Sequence, residues 1–124
     1  MLTDRGMAGA TRSAWAVREG RGHILVVLRG RITEEDGRAS AQAFLSALGS
    51  SSGVDVVFDV REVLTYAGEA RRAWQDLLIP RRAQIGVLTV VSRSRLTRMG
   101  ASVFAMMLGL DCRLHQDMPR EYAA

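Results

Sequence analysis

Residues 54–78, VDVVFDVREVLTYAGEARRAWQDLL, decide the fold. Val54 to Val60 is a short apolar, β-branched run interrupted only by Asp55 and Asp59, which predicts a buried strand. From Glu69 onward Ala70, Ala73, Trp74, Leu77 and Leu78 recur at helical spacing. Between the two, Arg61–Gly68 reads as the loop where strand hands over to helix. In an α/β domain, function collects outside the C-terminal ends of the strands, and this loop is such a place.

Working outward, the flanking segments repeat the alternation. Trp15 and Val17 alternate with Ala16 and Arg18 as a short strand, Glu19–Gly22 is a turn, and His23–Ile32 is the next strand, paired back as an antiparallel hairpin. Thr33-Glu34-Glu35-Asp36 starts a helix: Thr33 caps it, Asp36 imitates a capping box, and three acids sit where the dipole favours them. Ala41, Phe44, Leu45 and Leu48 form that helix's stripe, and Gly49–Gly53 ends it. Pro80 stops the second helix. Ile85–Val91 is a fourth strand. Leu96, Met99, Gly100, Val103, Phe104, Met107 and Leu108 mark the core face of a third helix with Gly109 as its C-cap, and Asp111–His115 is a short edge strand.

The order β-β-α-β-α-β-α-β predicts an α/β fold. It has a single mixed, largely parallel β-sheet with an N-terminal antiparallel hairpin and three main helices, at about 33–48, 66–79 and 95–108. The domain spans 13–116, between a disordered N-terminal arm (1–12) and a C-terminal tail (117–124). Asp55 and Asp59 share a sheet face with Val57. One sheet face is therefore expected to be partly open, as a surface for a homodimer.

With 124 residues the chain is large enough for a core without staples. No apolar run approaches the ~18–20 residues that span a bilayer. The segment MLTDRGMAGATRS lacks the apolar stretch of a signal peptide, so a cytoplasmic protein is expected. The single cysteine, Cys112, allows no internal disulfide and lies between Leu110 and Leu114, which points to a buried, inert thiol. The 17 basic residues are all Arg, and a net charge of +4 without interleaved aromatics argues against nucleic acid. There is no phosphate-binding loop, dinucleotide fingerprint or nucleophile elbow. His23 and His115 lack companion ligands for zinc. Asp59 at a strand end invites comparison with response-regulator receivers, but the chain has no Lys and no acidic pair after its corresponding first strand. No catalytic residue, metal or cofactor is expected.

Residues 59–71, DVREVLTYAGEAR, resemble the STAS family, the anti-sigma-factor antagonists of SpoIIAA type together with standalone bacterial STAS/SEC14-related proteins. Asp59 and Val63 match the family's Asp-Leu-Ser-x-Val pattern, the element order matches over about 14–115, and Glu69–Trp74 and Arg98–Ala101 are similar to standalone SpoIIAA-like chains. The resemblance implies a non-enzymatic regulatory, signalling module that works by protein–protein interaction. In the antagonists a phosphorylated Ser starts the second helix. Here a collinear placement puts Ala67, Gly68 and Glu69 on the family's Asp and two serines, so the usual hydroxyl is missing. Glu69 is either a fixed, phosphate-like charge or an ordinary helix-start Glu, and Thr65, the nearby hydroxyl, reads as an N-cap or turn residue rather than a phosphosite. The partner surface expected is Thr65, Tyr66, Gly68, Glu69, Arg71 and Arg72. The alternative is a small-ligand domain, for an anionic, lipid-like or nucleotide-like molecule. It would use Ser92, Arg93, Ser94 and Arg95, where hydroxyls, Arg side chains and a helix N-terminus could hold an anion. An apolar pocket under Arg61–Gly68 would favour the ligand; a flat exposed patch would favour the protein partner.

Overall fold

The computed structural model of the chain describes residues 13–123. The strands are β1 (Trp15–Glu19), β2 (His23–Ile32), β3 (Val54–Tyr66), β4 (Ile85–Val91) and β5 (Asp111–His115), in that spatial order. β1 pairs antiparallel with β2, and every later pairing is parallel. The helices are α1 (Glu34–Leu48), α2 (Gly68–Leu78) and α3 (Arg95–Leu108). The expected mixed sheet, hairpin and three helices are all present. The predicted N-terminal arm lies outside the described residues.

α1 begins as its sequence dictates. Thr33 Oγ1 accepts the Asp36 amide at 3.1 Å, and Asp36 Oδ2 accepts the Thr33 amide at 3.1 Å. Its buried stripe, Gly37, Ser40, Ala41, Phe44 and Leu48, packs against α2 and the sheet. The helices meet closely at Gly37, where a Cβ would stand 2.5 Å from Ala70 Cα. α2 ends at Leu78, and Pro80 opens a 3₁₀ turn over Ile79–Gln84. The main core lies between the helices and one sheet face, with Val26, Phe44, Leu48, Val56, Leu78 and Leu88 fully enclosed. Trp74 sits in it as expected, edge-on to Phe58 at 5.0 Å and tilted against Phe44 at 5.3 Å.

Four expectations change. First, Arg61–Gly68 is not a loop: β3 continues through it to Tyr66, because Gly30, Arg31 and Ile32 of β2 pair with Val63, Thr65 and Tyr66. Second, Thr65 therefore does not cap α2. The cap is Ala67, which has no side-chain acceptor, and α2 starts at Gly68 instead of 66. Third, the core face of α3 is Ala101, Phe104, Ala105 and Leu108, while Leu96, Met99, Val103 and Met107 point to solvent. Gly109 does cap α3, in the left-handed conformation at φ 73° that glycine adopts without strain. Fourth, the second sheet face, expected to be partly open, is covered around Val57 by the chain's own C-terminal segment and stays open beside it. Met118 and Tyr122 pack there on a small cluster of Leu25, Val57 and Val91, and the Tyr122 ring meets His23 edge-on at 4.9 Å.

Candidate functional site

β3 is longer than β4. Its pairing with β4 ends at Asp59↔Val91, and beyond that point only β2 accompanies it. The chain leaving β4 turns through Ser92–Ser94 into α3, while β3 runs on to Tyr66 and enters α2. The end of β3, α2 and α3 thus wall a cleft at the C-terminal ends of the parallel strands, with a volume of about 610 Å³. That is within the ~300–1,000 Å³ usual for small-molecule sites. Phe58, Val60, Leu88 and Val90 line its floor, Trp74 and Ala70 one wall, Ala101 and Phe104 the other.

The charged side chains that line the rim are all basic, two of them paired with carboxylates outside the lining. Arg61, Arg71 and Arg93 line the cleft, and no Asp or Glu does. Arg71 stands over the Tyr66 ring, its guanidinium carbon 5.7 Å from the centroid. Arg93 Nη2 donates to Asp117 Oδ1 at 3.1 Å, an exposed pair that solvent weakens. Arg61 is held more firmly. Its Nε and Nη2 donate to the two oxygens of Asp59 at 2.9 and 2.8 Å, and its amide donates to Asp59 Oδ1 at 3.2 Å. Burial works to raise the Asp59 carboxyl, but the Arg61 hydrogen bonds and charge, with Arg29 behind them, outweigh it and hold Asp59 below its ordinary value. The same bonds push Arg61 up. Asp59 thereby anchors a cation at the cleft mouth.

The six residues expected to form a partner surface, Thr65, Tyr66, Gly68, Glu69, Arg71 and Arg72, are all exposed and lie together where β3 passes into α2. Thr65, Tyr66 and Arg71 also border the cleft. The second group is differently disposed. Ser92 is buried, and its Oγ accepts the Ser94 amide at 3.1 Å, while Ser94 Oγ accepts the Thr97 amide at 3.2 Å as the N-cap of α3. Arg98 Nη1 donates to the Ser92 carbonyl at 2.7 Å. Both hydroxyls thus serve the turn as acceptors, leaving Arg93 and Arg95 exposed beside it. Sequence reasoning passed over the cleft lining. Phe58 and Val60 alternate with Asp59 and Arg61 on β3, but whether the Phe58–Val60 face was sealed by the helices or left bordering a cleft depended on the position of α3.

A second cavity, of about 500 Å³, lies on the opposite sheet face beside Tyr122. Its lining mixes Arg18, Arg29 and Arg61 with Glu19, Asp59, Glu62 and Glu121, so it favours neither sign of charge. Among the described residues no group of three or more His, Cys, Asp or Glu could hold a metal ion. Cys112 is half-buried, and desolvation pushes its thiol up, away from the reactive thiolate. No described helix is long and apolar enough to cross a membrane.

Among solved structures, the chain is similar to an uncharacterized protein of the DUF3478 family from Shewanella loihica PV-4, described as having a SpoIIAA-like fold. The TM-score is 0.71 at 14% identity, over 90% of this chain and 93% of that one. The fold is SpoIIAA-like. No protein-family model and no curated protein matches the sequence. The SpoIIAA-like architecture accounts for the antiparallel edge β1 on an otherwise parallel sheet, and for the meeting of β3 and α2 at Ala67–Glu69. At that junction the described chain presents Glu69 and no serine.

Proposed function

We propose that the protein is a non-enzymatic STAS-type regulatory module whose cleft takes an amphipathic anion, with the apolar part between α2 and α3 and the charged group at the arginine rim. The observation that carries this reading is the cleft itself: an apolar cavity of about 610 Å³ whose lining includes three arginines and no acid. An apolar floor rewards burial of hydrocarbon by about 25 cal/mol per Å². Arginines at the rim, with Arg71 over Tyr66 and Arg93 in a solvent-weakened pair, favour a carboxylate or phosphate over a neutral head group. Thr65, Tyr66 and Arg71 border the cleft and belong to the exposed surface as well, so an occupant would alter what a protein partner meets.

The test uses Trp74, which lines the cleft, as reporter in a Trp15→Phe background. Dodecanoate is expected to change the emission saturably and raise the melting temperature by mass action. Dodecanol should bind more weakly, and inorganic phosphate alone should do neither. Arg71→Ala with Arg93→Ala should erase the preference for dodecanoate while leaving dodecanol unaffected. Failure of both alkyl compounds to bind would remove the ligand reading. The regulatory function would then rest on the protein-binding surface, for which the specific support is that all six of its residues are exposed and contiguous.

A further inference from the structure

The chain's aromatic side chains are few, and they are gathered. Phe58, Tyr66, Trp74 and Phe104 are four of its seven, and all four line the cleft, whose lining takes in only about a fifth of the residues. β3 supplies Phe58 and Tyr66, α2 supplies Trp74 and α3 supplies Phe104, so floor, rim and both walls each carry a ring. Phe58 and Trp74 already meet edge to face, with centroids 5.0 Å apart. The α3 wall also has a gap. Gly100 stands inside α3 and lines the cleft, in line with Thr97 and Phe104 at helical spacing. Glycine is a poor helix former, and at Gly37 the close contact with α2 requires it. At Gly100 no such contact exists: beyond its own stretch of helix, nothing lies within 4 Å of where a Cβ would stand.

We infer that the occupant of this cleft, granted the anion-binding function proposed above, is an aromatic molecule: an aryl group carrying a carboxylate or phosphate. Three features select it over a flexible alkyl chain. An aryl group meets the rings of the lining edge to face or offset, which favours it beyond the area buried, and two such contacts are worth about tenfold in affinity. An aryl group is also wider than a polymethylene chain. The space left at Gly100, one turn from Phe104, is width that a slim chain leaves unfilled, and atoms lining an unfilled gap lose their dispersion partners. A rigid ring system, thirdly, loses less freedom on binding than a chain whose every bond must be ordered. Leu88 and Val90, the aliphatic part of the floor, accept either group and do not discriminate. The charged group meets Arg71, whose guanidinium lies 5.7 Å over the Tyr66 ring at the rim, so a cation and a ring stand side by side for the two halves of one molecule.

Isothermal titration calorimetry on the full chain compares biphenyl-4-carboxylate with dodecanoate. The two have nearly equal numbers of carbons and the saturated chain is the more hydrophobic, so burial alone favours dodecanoate. Biphenyl-4-carboxylate is nevertheless expected to bind about tenfold more tightly. Gly100→Leu fills the gap at an exposed position. It should weaken biphenyl-4-carboxylate about tenfold and dodecanoate less than about threefold, while the melting temperature holds or rises, since leucine is the better helix former. Phe104→Leu should bring the two affinities together. Dodecanoate binding as tightly as biphenyl-4-carboxylate, or more tightly, overturns the aromatic occupant and leaves the amphipathic-anion function standing. Biphenyl-4-carboxylate binding that Gly100→Leu leaves unchanged overturns it too, because the ring then sits elsewhere. If neither compound binds, the anion-binding function of the cleft falls, and the aromatic occupant with it.

Discussion

Trp74 Nε1 donates a hydrogen bond to Ser40 Oγ at 3.1 Å, joining α2 to α1 inside the core, and Ser40 Oγ in turn donates to the Gly37 carbonyl at 3.1 Å. Ser40 is fully buried and Trp74 nearly so. The indole thus places its rings between Phe44 and Phe58 while its one polar atom stays satisfied. Ser40→Ala leaves that donor buried and unpaired, at a cost of about 1–3 kcal/mol. Trp74→Ala removes the packing as well and should cost about 3–5 kcal/mol. Urea unfolding of both variants and of Trp74→Phe gives the check: in the Trp74→Phe background, Ser40→Ala should lose most of its effect.

Gly37→Ala tests the approach of α1 to α2. Alanine is the better helix former by about 1 kcal/mol, so an exposed glycine would gain from the change. Here the new methyl would stand 2.5 Å from Ala70 Cα and 2.6 Å from Ala70 Cβ. The clash is with backbone, which cannot rotate away. A net loss of about 1–3 kcal/mol is expected, as in other overpacked cores. Thermal melts that show stabilisation would mean the two helices can separate freely.

Asp59 should shape stability at acid pH. Its carboxyl is held below its ordinary value by Arg61 in the folded chain, so the folded state binds the proton less readily than the unfolded state. The contribution is complete above the unfolded value of about 4 and is lost as pH falls through the folded value. Wild type and Asp59→Asn should therefore diverge above about pH 4 and converge in stronger acid. Arg61→Ala leaves Asp59 without its main donor and should cost about 1–3 kcal/mol at neutral pH. Denaturant midpoints at several pH values between 2 and 7 measure both.

Glu69 stands in the uncapped first turn of α2, where the dipole favours a negative charge by about 0.3–1 kcal/mol. Glu69→Ser and Glu69→Gln should lose no more than that, with the Gln loss fading at high salt. If the junction is a switch surface, both variants should also change the association rate with a protein partner and its salt dependence. Equal affinities for wild type and both variants would leave Glu69 as a helix-start residue alone.

Where information is local, the residues alone determined the structure. The Thr33 cap, the Pro80 stop, the Gly109 cap and the apolar runs of β2, β3 and β4 each follow from neighbours within a few positions, and each formed as its sequence requires. The resemblance carried by Asp59 and Val63 pointed to the fold for the same reason, since it lies in one contiguous stretch. Tertiary structure decided what depends on distant partners. Arg61–Tyr66 is polar enough to read as a loop, yet it is strand because β2, some 30 residues away, supplies its hydrogen bonds. α3 is apolar on two sides, and periodicity alone does not say which side the sheet will cover. Once the sheet covered Ala101, Ala105 and Leu108, the more evident stripe from Leu96 to Met107 was left to solvent, and the cleft opened where β3 outran β4.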